Sequence, residues 1–449
     1  MKKLLLAYYG DDFTGSTDAL EFISRAGLKS VLFIEPPTKT QLDRYPDLDA
    51  IGVAGMSRSL SPTEMEQILP RAFQALKEMQ PKHVHYKVCS TFDSSPKVGS
   101  IGKAIDIAAE VFNSSFIPLL VAAPILGRYS VFGNLFARMG IGSDGDVYRL
   151  DRHPSMSKHP ITPADESDIC LHLAKQTKKQ IGLLDILNIQ QGKESCITAL
   201  EGLKDRKTDI ILFDALYQQQ LQLIGDLIDT EAESSSPLFS VGSSGIEMAL
   251  GASWNKKDVI TDENIWEVPS EASSILVLSG SCSPVTAGQI KWAKQQGFKE
   301  LEIDAGAVAN HKISNLVELY CSQAIDCLQH NQSVIIHTGG TSNKTIVQQD
   351  SARLLGTFLG MLGHSICKQK KVERLVIAGG DTSSYAARAL GIEAVEMIAP
   401  LVPGAPLCKA YAPGSPVDNI ELNFKGGQVG AEDFFELLRR GSIIKPVYS

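Results

Sequence analysis

Short apolar runs alternate with longer amphipathic stretches along the first half of the chain. The amphipathic stretches predict helices, most clearly at residues 16–26, 62–79 and 101–112. Strands joined through helices in this way predict a mostly parallel sheet with helices on both faces. The predicted strands are residues 4–9, 30–34, 50–54, 83–88, 119–123, 180–184, 210–213 and 237–241.

Residues 253–274 interrupt this pattern. They carry Trp254, Trp266 and Pro269 in a polar, Ser- and Glu-containing stretch without a clear period. We therefore predict a domain boundary here, with one domain at residues 1–255 and a second at 270–449.

The same alternation resumes after the boundary. It predicts a second α/β domain, again a mostly parallel sheet with helices on both faces. The tail at residues 400–435 is rich in Pro and Gly, which favours irregular hairpins and loops. The predicted strands are residues 274–278, 299–303, 333–337 and 374–378, and the predicted helices are 285–296 and 351–369.

Length and charge narrow the functional classes. A chain of 449 residues exceeds the size of a single hydrophobic core, which agrees with two domains. The formal net charge of −8 comes without a basic patch, which argues against nucleic acid as a partner. The apolar run at residues 4–9 is too short for a signal peptide or a membrane helix, and the eight cysteines include no C-x-x-C pair. We expect a cytoplasmic protein with reduced thiols and no membrane partner.

Two adjacent carboxylates follow the first predicted strand. Asp11 and Asp12 stand between Gly10 and Gly15, beyond the carboxyl end of the strand, where open α/β sheets bind their ligands. One of them could simply cap the following helix. A cap needs only one acidic residue, so we favour a binding or catalytic role for the pair.

Other predicted strands of the first domain end in a similar way. Arg58 and Arg128 each follow a strand and offer forked donors to a carboxylate. Lys87 and Asp93 flank a hydroxyl-rich segment after the strand at 83–88. Together these side chains suit a polyhydroxylated acid. His83 and His85 share one face of that strand but lack a third ligand nearby, so a packed or surface pair is favoured over a zinc site.

Gly-, Ser- and Thr-rich turns follow three strands of the second domain. They lie at residues 279–284, 338–342 and 379–384, and two of them open directly onto a predicted helix. Free backbone amides at such turns bind phosphate. The chain has neither a Walker A loop nor a G-x-G-x-x-G fingerprint, although three such turns favour a nucleotide. Lys425-Gly426-Gly427 in the tail adds another place for close backbone approach.

These segments together resemble the four-carbon acid sugar kinases, a family formerly described as a domain of unknown function. Its members phosphorylate erythronate, threonate, 3-oxo-tetronates and related acids with ATP. The resemblance spans nearly the whole chain. It rests on residues 9–15, Lys87 with 90–94, Gly127-Arg128, 159–163, 242–245, 279–283, 379–383 and Gly430 with 432–435.

The resemblance implies an N-terminal sugar-acid-binding domain, a C-terminal ATP-binding domain and an active site in the cleft between them. It implies ATP contacts at Ser281, Gly427 and the turn formed by Gly379, Gly380, Asp381 and Thr382.

The mechanism that we expect for a kinase needs positioning, charge neutralisation and a base. Asp12 or Asp93 would orient and deprotonate the sugar hydroxyl, and Asp381 is a rival as base or metal ligand. Arg58, Lys87 and Arg128 would hold the substrate carboxylate, with Asp11 also in the pocket. Mg²⁺ would bridge the β- and γ-phosphates of ATP.

Two other functions remain open from sequence. One is an oxidoreductase acting on sugar acids, although the missing dinucleotide fingerprint argues against it. The other is a non-catalytic regulator that binds nucleotide and sugar acid. The base rate of symmetric oligomers favours a homodimer.

Overall fold

The computed structural model describes residues 3–139, 145–159, 161–232, 236–260, 266–310, 313–339 and 351–441. The chain divides into two compact units. The first comprises the described residues among 1–31, 36–139 and 144–264, and the second comprises the described residues among 32–35 and 265–449. Each unit contains strands, helices and buried apolar side chains of its own.

The first unit is built on parallel strands that pair in the order β3, β1, β4, β11, β5, β10, β9. Their side chains are almost completely buried in β1, β3, β4, β10 and β11, as expected for a sheet covered on both faces. A small antiparallel sheet, β6–β7–β8, accompanies it. The strands are β1 (Leu6–Gly10), β2 (Ser30–Phe33, of which only Ser30 and Val31 belong to this unit), β3 (Ala50–Ala54), β4 (His83–Lys87), β5 (Ile117–Leu120), β6 (Arg128–Val131), β7 (Asn134–Arg138), β8 (Val147–Arg149), β9 (Ile181–Leu184), β10 (Ile210–Phe213) and β11 (Leu238–Gly242).

The helices of the first unit begin at recognisable caps. Ser61 and Glu64 form a reciprocal capping box at the start of α3, with Pro62 in the first turn. Helices α8 and α9 pack closely, because a Cβ at Gly225 would lie 1.9 Å from the Ala249 carbonyl oxygen. The helices are α1 (Phe13–Arg25), α2 (Lys39–Leu42), α3 (Pro62–Glu78), α4 (Ile101–Val111), α5 (Ile169–Ala174), α6 (Ile186–Gln191), α7 (Lys193–Asp205), α8 (Gln218–Glu231) and α9 (Gly245–Lys256).

The second unit has the strand order β13, β14, β12, β15, β18, β17, β16. The pairs from β13 to β18 are parallel, whereas β17 pairs antiparallel with both β18 and β16. Leu32 and Phe33 belong to this unit and pair antiparallel with Val395 and Ala394 of β16. The strands are β12 (Ile275–Ser279), β13 (Lys299–Glu302), β14 (Val334–His337), β15 (Arg374–Ala378), β16 (Ala394–Val402), β17 (Ala405–Tyr411) and β18 (Glu421–Lys425). The helices are α10 (Pro284–Gln295), α11 (Ala305–Asn310), α12 (Ile313–Gln329), α13 (Ser351–Gln369), α14 (Gly380–Ala389) and α15 (Phe434–Arg440).

The α/β class with mostly parallel strands is confirmed, and the predicted strands are found with ends shifted by up to three residues. The prediction for the tail is confirmed for hairpins, since β16 and β17 pair antiparallel with register shifts. It is wrong in assigning the rest to loops, because residues 394–425 supply three strands of the sheet. Pro400 is accommodated where the β16–β17 register shifts, between Ala399 and Val402. A proline is tolerated in a sheet at such an irregularity, so it does not exclude a strand.

Helix α1 also differs from its prediction, since it begins at Phe13 rather than at residue 16. The β6–β8 sheet was not foreseen at all. None of the described helices combines the length and the apolar character that crossing a membrane would require.

Candidate active site

The carboxyl ends of four neighbouring strands are level with one another in the first unit. Gly10 at the end of β1 is opposite Ala54 of β3 and Lys87 of β4, and Lys87 is opposite Gly242 of β11. The segments that follow these strands therefore emerge at one edge of the sheet. In open α/β sheets, this is the edge that binds ligands.

Asp12 is both a helix cap and an ion-pair partner. Its Oδ1 accepts a hydrogen bond from the Gly15 amide at 2.9 Å and caps α1. Its Oδ2 accepts from the Thr14 hydroxyl at 2.6 Å and from Arg58 Nη2 at 2.5 Å. Burial alone would raise its pKa, but Arg58 and these hydrogen bonds lower the pKa of Asp12 below its ordinary value. Asp12 is therefore a buried carboxylate that stays ionised.

Asp11 has the opposite protonation state. Its amide donates to the Lys87 carbonyl at 2.8 Å, and its own carbonyl accepts from the Arg58 amide at 3.0 Å. Its Oδ1 is buried and has no hydrogen-bond partner among the described residues. Burial raises the pKa of Asp11 to about 8, against the opposing effect of Arg58. At pH 7 this carboxyl group mostly retains its proton.

Lys87 is a fully buried cation at the end of β4. Its Nζ donates to the Val88 carbonyl at 3.0 Å and lies 3.2 Å from Asp18 Oδ2. A Cβ at Gly15 would lie 3.4 Å from this Nζ and 2.5 Å from Asp12 Oδ1, so the absence of a side chain there makes room for both groups. Burial opposes the charge, but Asp18 and Glu247 raise the pKa of Lys87 above its ordinary value.

Arg128 is a buried cation that lies close enough to Asp93 for the two charges to interact. Arg128 is buried, and its Nη1 donates to the carbonyls of Leu126, Gly127 and Arg138 at 3.0–3.2 Å. Burial lowers the pKa of Arg128, while Cys89 and Asp93 oppose that change. The expected forked grip on a carboxylate is therefore restricted, because Nη1 already binds the backbone, whereas the buried Nε has no partner among the described residues.

Asp93 lines a shallow depression. Phe92 precedes it with φ of 55°, an uncommon conformation for a bulky residue. The Phe92 ring packs against His172, whose Nε2 lies 3.0 Å from the Ser94 hydroxyl. Asp93 is near enough to Asp11 to raise the pKa of that group. The depression is lined by Thr91, Phe92, Asp93, Ser94, Leu150, Thr162, Pro163, Ala164, Glu166, Ile169 and His172.

Sequence reasoning missed Glu247, a buried acidic residue whose charge acts on Lys87. Glu247 in the first turn of α9 has no hydrogen-bond partner for either carboxyl oxygen among the described residues, and burial raises its pKa to about 8. His85 Nε2 lies 3.5 Å from Glu247 Oε1, and burial lowers the pKa of His85 to about 3. His83 is also buried, with Nε2 3.1 Å from Asp229 Oδ1. An acidic residue just after the Gly242–Gly245 turn was the available signal for Glu247.

In the second unit, four of the predicted nucleotide contacts converge on one small region. A Cβ at Gly379, where φ is 131°, would lie 2.3 Å from Thr382 Oγ1 and 3.3 Å from the Ser281 amide nitrogen. A Cβ at Gly427 would lie 3.3 Å from Ser281 Oγ. Glycine at positions 379 and 427 thus lets the turns after β12, β15 and β18 approach each other. Thr382 Oγ1 is buried and has no partner among the described residues.

Two of the expected groups are described only in part. Gly380 and Asp381 begin helix α14, but the Asp381 side chain lies outside the described part of the structure. Of the turn predicted at residues 338–342, Thr338 and Gly339 follow β14, and residues 340–342 lie outside the described residues.

The two regions differ in chemistry. The first combines an ionised carboxylate, a protonated one and three cations, which can bind an acid and hydrogen-bond a hydroxyl. The second presents backbone amides and hydroxyls at glycine turns, which can bind phosphate oxygens.

Family models divide the chain in the same way. A sugar-binding N-terminal domain matches residues 6–250, and a nucleotide-binding C-terminal domain matches residues 276–435. A 3-oxo-isoapionate kinase of Paraburkholderia graminis is 38% identical over 98% of this chain and 95% of its own length. A 3-oxo-tetronate kinase of Pseudomonas savastanoi pv. phaseolicola is 29% identical over 96% of each chain.

Two solved structures also match nearly the whole chain. A Salmonella typhimurium LT2 protein described as a putative tRNA synthase has a TM-score of 0.75 and 25% identity, covering 97% of this chain and 98% of its own. A Haemophilus influenzae protein from a family of unknown function has a TM-score of 0.68 and 26% identity, over 98% of this chain and all of its own.

Proposed function

The chain belongs to the sugar-acid kinase family that joins a sugar-binding N-terminal domain to a nucleotide-binding C-terminal domain, and we propose that it phosphorylates a hydroxyl of a small 3-oxo sugar acid with ATP. One observation carries the proposal: a cluster of Asp12, Arg58 and Lys87 in one unit accompanies a cradle of glycine turns in the other. The first suits an acidic, hydroxylated substrate, and the second suits phosphates.

The substrate class follows from the relatives. Both are named for 3-oxo acids, one with a branched and the other with a four-carbon chain. The higher identity, 38% against 29%, favours a 3-oxo-isoapionate-like substrate over a 3-oxo-tetronate. Buried cations at strand ends support an anionic substrate in either case.

Asp12 is the base that we propose. Phosphoryl transfer has a loose transition state, so the base mainly orients the attacking hydroxyl, and a low pKa does not disqualify it. Oδ2 of Asp12 already accepts two hydrogen bonds, while Oδ1 accepts one, from Gly15, and retains a second acceptor site. Asp93 remains the alternative base.

The cations would serve the substrate carboxylate and the moving phosphoryl group. Lys87 donates one hydrogen bond, to the Val88 carbonyl, and its Nζ forms an ion pair with Asp18, so the contacts described leave it donor capacity for a substrate. Arg58 pairs with Asp12 through Nη2 and is partly exposed. Arg128 would contribute mainly its charge and its Nε, since Nη1 binds carbonyl oxygens.

On the nucleotide side, we propose that Ser281, Gly379, Thr382 and Gly427 contact ATP, with Gly380 in the same turn. Mg²⁺ would accompany ATP, because neutralising the β- and γ-oxygens is the usual requirement of phosphoryl transfer. The metal would be held chiefly by the phosphates, and Asp381 is the protein carboxylate that we assign to it.

The proposal also covers the cellular compartment, the oligomeric state and the partners. All eight cysteines are free thiols, which supports a reducing compartment such as the cytoplasm. A homodimer is proposed on the base rate for soluble proteins, and nucleic acid is not proposed as a partner.

The test is ADP release from Mg-ATP over a panel of acids. The panel contains 3-oxo-isoapionate, both 3-oxo-tetronates, erythronate and threonate. Turnover confined to 3-oxo acids, and fastest with the branched one, is expected. A panel without turnover, together with measurable ATP binding, would move the substrate outside this class. Absence of ATP binding would remove the kinase function.

A further inference from the structure

Lys425 lies beneath the turn that follows β18, among the groups proposed to contact ATP. Its Nζ donates to Thr286 Oγ1 at 2.9 Å and to the Gly426 carbonyl at 2.9 Å, with the Gly427 carbonyl at 3.5 Å. Thr286 in turn accepts from Ser281 Oγ at 3.1 Å and donates to the Gly427 carbonyl at 3.3 Å. One hydroxyl group therefore links Lys425 to both Ser281 and Gly427.

The position of Lys425 is fixed by the sheet. In the register of β15 and β18, Lys425 is opposite Ala378, and its carbonyl accepts from the Gly379 amide at 2.9 Å. The same residue thus contacts two of the converging turns through its backbone and its side chain. The Phe434 ring of α15 lies 5.6 Å from Nζ.

The charge of Lys425 has no carboxylate to balance it within the described structure. The groups around its Nζ are the Thr286 hydroxyl, two carbonyl oxygens and the Phe434 ring, and none of these titrates. The side chain is fully buried. Burial lowers the pKa of Lys425 to about 7. A buried cation is costly unless an anion compensates it, so the site is poised for an anionic ligand.

We propose that Lys425 is a positioning residue of the nucleotide site, which holds the Gly426–Gly427 turn and supplies the positive charge that the nucleotide phosphates compensate. This inference rests on the proposed function, because it takes the second unit to bind ATP. The Nζ donors of Lys425 are already engaged by protein oxygens. Lys425 therefore acts by holding the turn in place and through its electrostatic field. That distinguishes it from a lysine that reaches out to bind phosphate directly.

A consequence is that nucleotide and proton bind together. A phosphate dianion near Nζ stabilises the charged ammonium and raises the pKa of Lys425. Above pH 7 the ligand-free lysine is mostly neutral, so nucleotide binding takes up a proton, close to one per site at pH 8. At pH 6 the lysine is already charged, and uptake vanishes. Affinity should therefore fall as the pH rises from 7 to 9.

The experiment is calorimetric titration of the full chain with Mg-ADP in two buffers of different ionisation enthalpy, at pH 6 and pH 8. For the wild type we expect proton uptake at pH 8 and none at pH 6. Lys425→Met keeps the aliphatic stem and should weaken ADP binding about 10- to 100-fold without proton uptake. Thr286→Val removes the hydroxyl link but keeps the charge, so it should weaken binding less and retain the uptake.

The matched control is Lys409→Met, an exposed lysine on the neighbouring strand β17, which should leave affinity and uptake unchanged. Wild-type binding without proton uptake at pH 8, or uptake retained in Lys425→Met, overturns the inference and leaves the kinase proposal standing. Absence of ADP binding by the wild type overturns both. If Lys425→Met fails to fold, the wild-type titration still decides.

Discussion

Asp11 and Asp12 are adjacent carboxyl groups that the fold holds in opposite protonation states. Asp12 has the Arg58 guanidinium and two further donors, so its pKa is lowered despite burial. Asp11 is equally buried but has an unpartnered Oδ1, and its pKa rises to about 8. Environment rather than residue type therefore divides the roles: Asp12 can accept from a hydroxyl, and Asp11 can donate.

Replacing Asp12 with Asn tests its role as base. Asn is as good a helix cap as Asp, so α1 should be retained while the charge is lost. We expect kcat to fall about 100- to 10,000-fold, the usual contribution of a general base, with ADP affinity nearly unchanged. Steady-state kinetics and ADP titration measure both quantities.

Asp168→Asn is the matched control, since Asp168 caps α5 in the same unit through the Leu171 amide. It should leave kcat unchanged. A large loss in Asp93→Asn together with a small one in Asp12→Asn would instead assign the base to Asp93.

Glu247 predicts an unusual dependence of stability on pH. Its pKa is raised from 4.5 to about 8 by burial, so its contribution to stability is complete below about pH 4.5 and is lost as the pH rises through 8. We expect Glu247→Gln, which is neutral at every pH, to lose less free energy of unfolding than the wild type between pH 5 and pH 9. Urea unfolding across this range measures it.

The control for that series is Glu110→Gln, an exposed glutamate on α4. Its pH profile should follow the wild type. A Glu247→Gln profile parallel to that of the wild type would contradict the assignment of a buried, neutral carboxyl group.

The candidate site was only partly predictable at this scale. Asp12 and Lys87 follow apolar runs directly, and parallel strands bring such positions to one edge of the sheet. Asp18 lies within helix α1, where a polar residue in the sequence gives no sign that it pairs with a buried lysine. Glu247 follows the Gly242–Gly245 turn, a signal that marks its position but not its burial. Arg128 was expected to be a free fork, but the carbonyls that engage its Nη1 come from local backbone geometry that sequence does not reveal.

At the scale of elements, the turn between β15 and α14 depends on one glycine. Gly379 has φ of 131°, and a Cβ there would lie 2.3 Å from Thr382 Oγ1. Gly379→Ala should therefore displace Thr382, destabilise the protein by about 1–3 kcal/mol and weaken ADP binding. Chemical unfolding and ADP titration check the two effects.

Gly414→Ala is the control that distinguishes the cost of backbone strain from the effect of a clash with Thr382. Gly414 also has positive φ, 81°, but nothing lies within 4 Å of its Cβ position. It should cost some stability without changing ADP affinity. Unchanged ADP affinity in Gly379→Ala would exclude this turn from the nucleotide site.

Elements with a clear hydrophobic pattern were predictable from sequence. Strands that depend on pairing with residues far away in the chain were not. Strands such as β10 read as uninterrupted apolar runs because both faces are covered. The strands β16 and β17 contain Pro400 and Pro406, which local reasoning assigns to loops. They are stabilised instead by pairing with each other, and further by the pairing of β16 with Leu32 and Phe33 and of β17 with β18.

At the scale of the whole molecule, ligand protection should map onto the two units separately. ADP should slow amide hydrogen exchange at the turns after β12, β15 and β18, and the sugar acid should slow it after β1, β3 and β4. Exchange slows because a bound ligand must dissociate before local opening. ADP binding that leaves the amides of residues 279–283 and 379–382 unprotected would contradict the assignment.

The pairing of Leu32 and Phe33 with β16 also imposes an order on biosynthesis. About 360 residues separate these partners along the chain. A ribosome that adds about 5–20 residues per second needs on the order of 20–70 s to span that gap. During translation, β2 is therefore synthesised well before β16, with which it pairs. Any nascent chain that stalls before residue 394 leaves the second unit without a strand on which to seat Leu32 and Phe33.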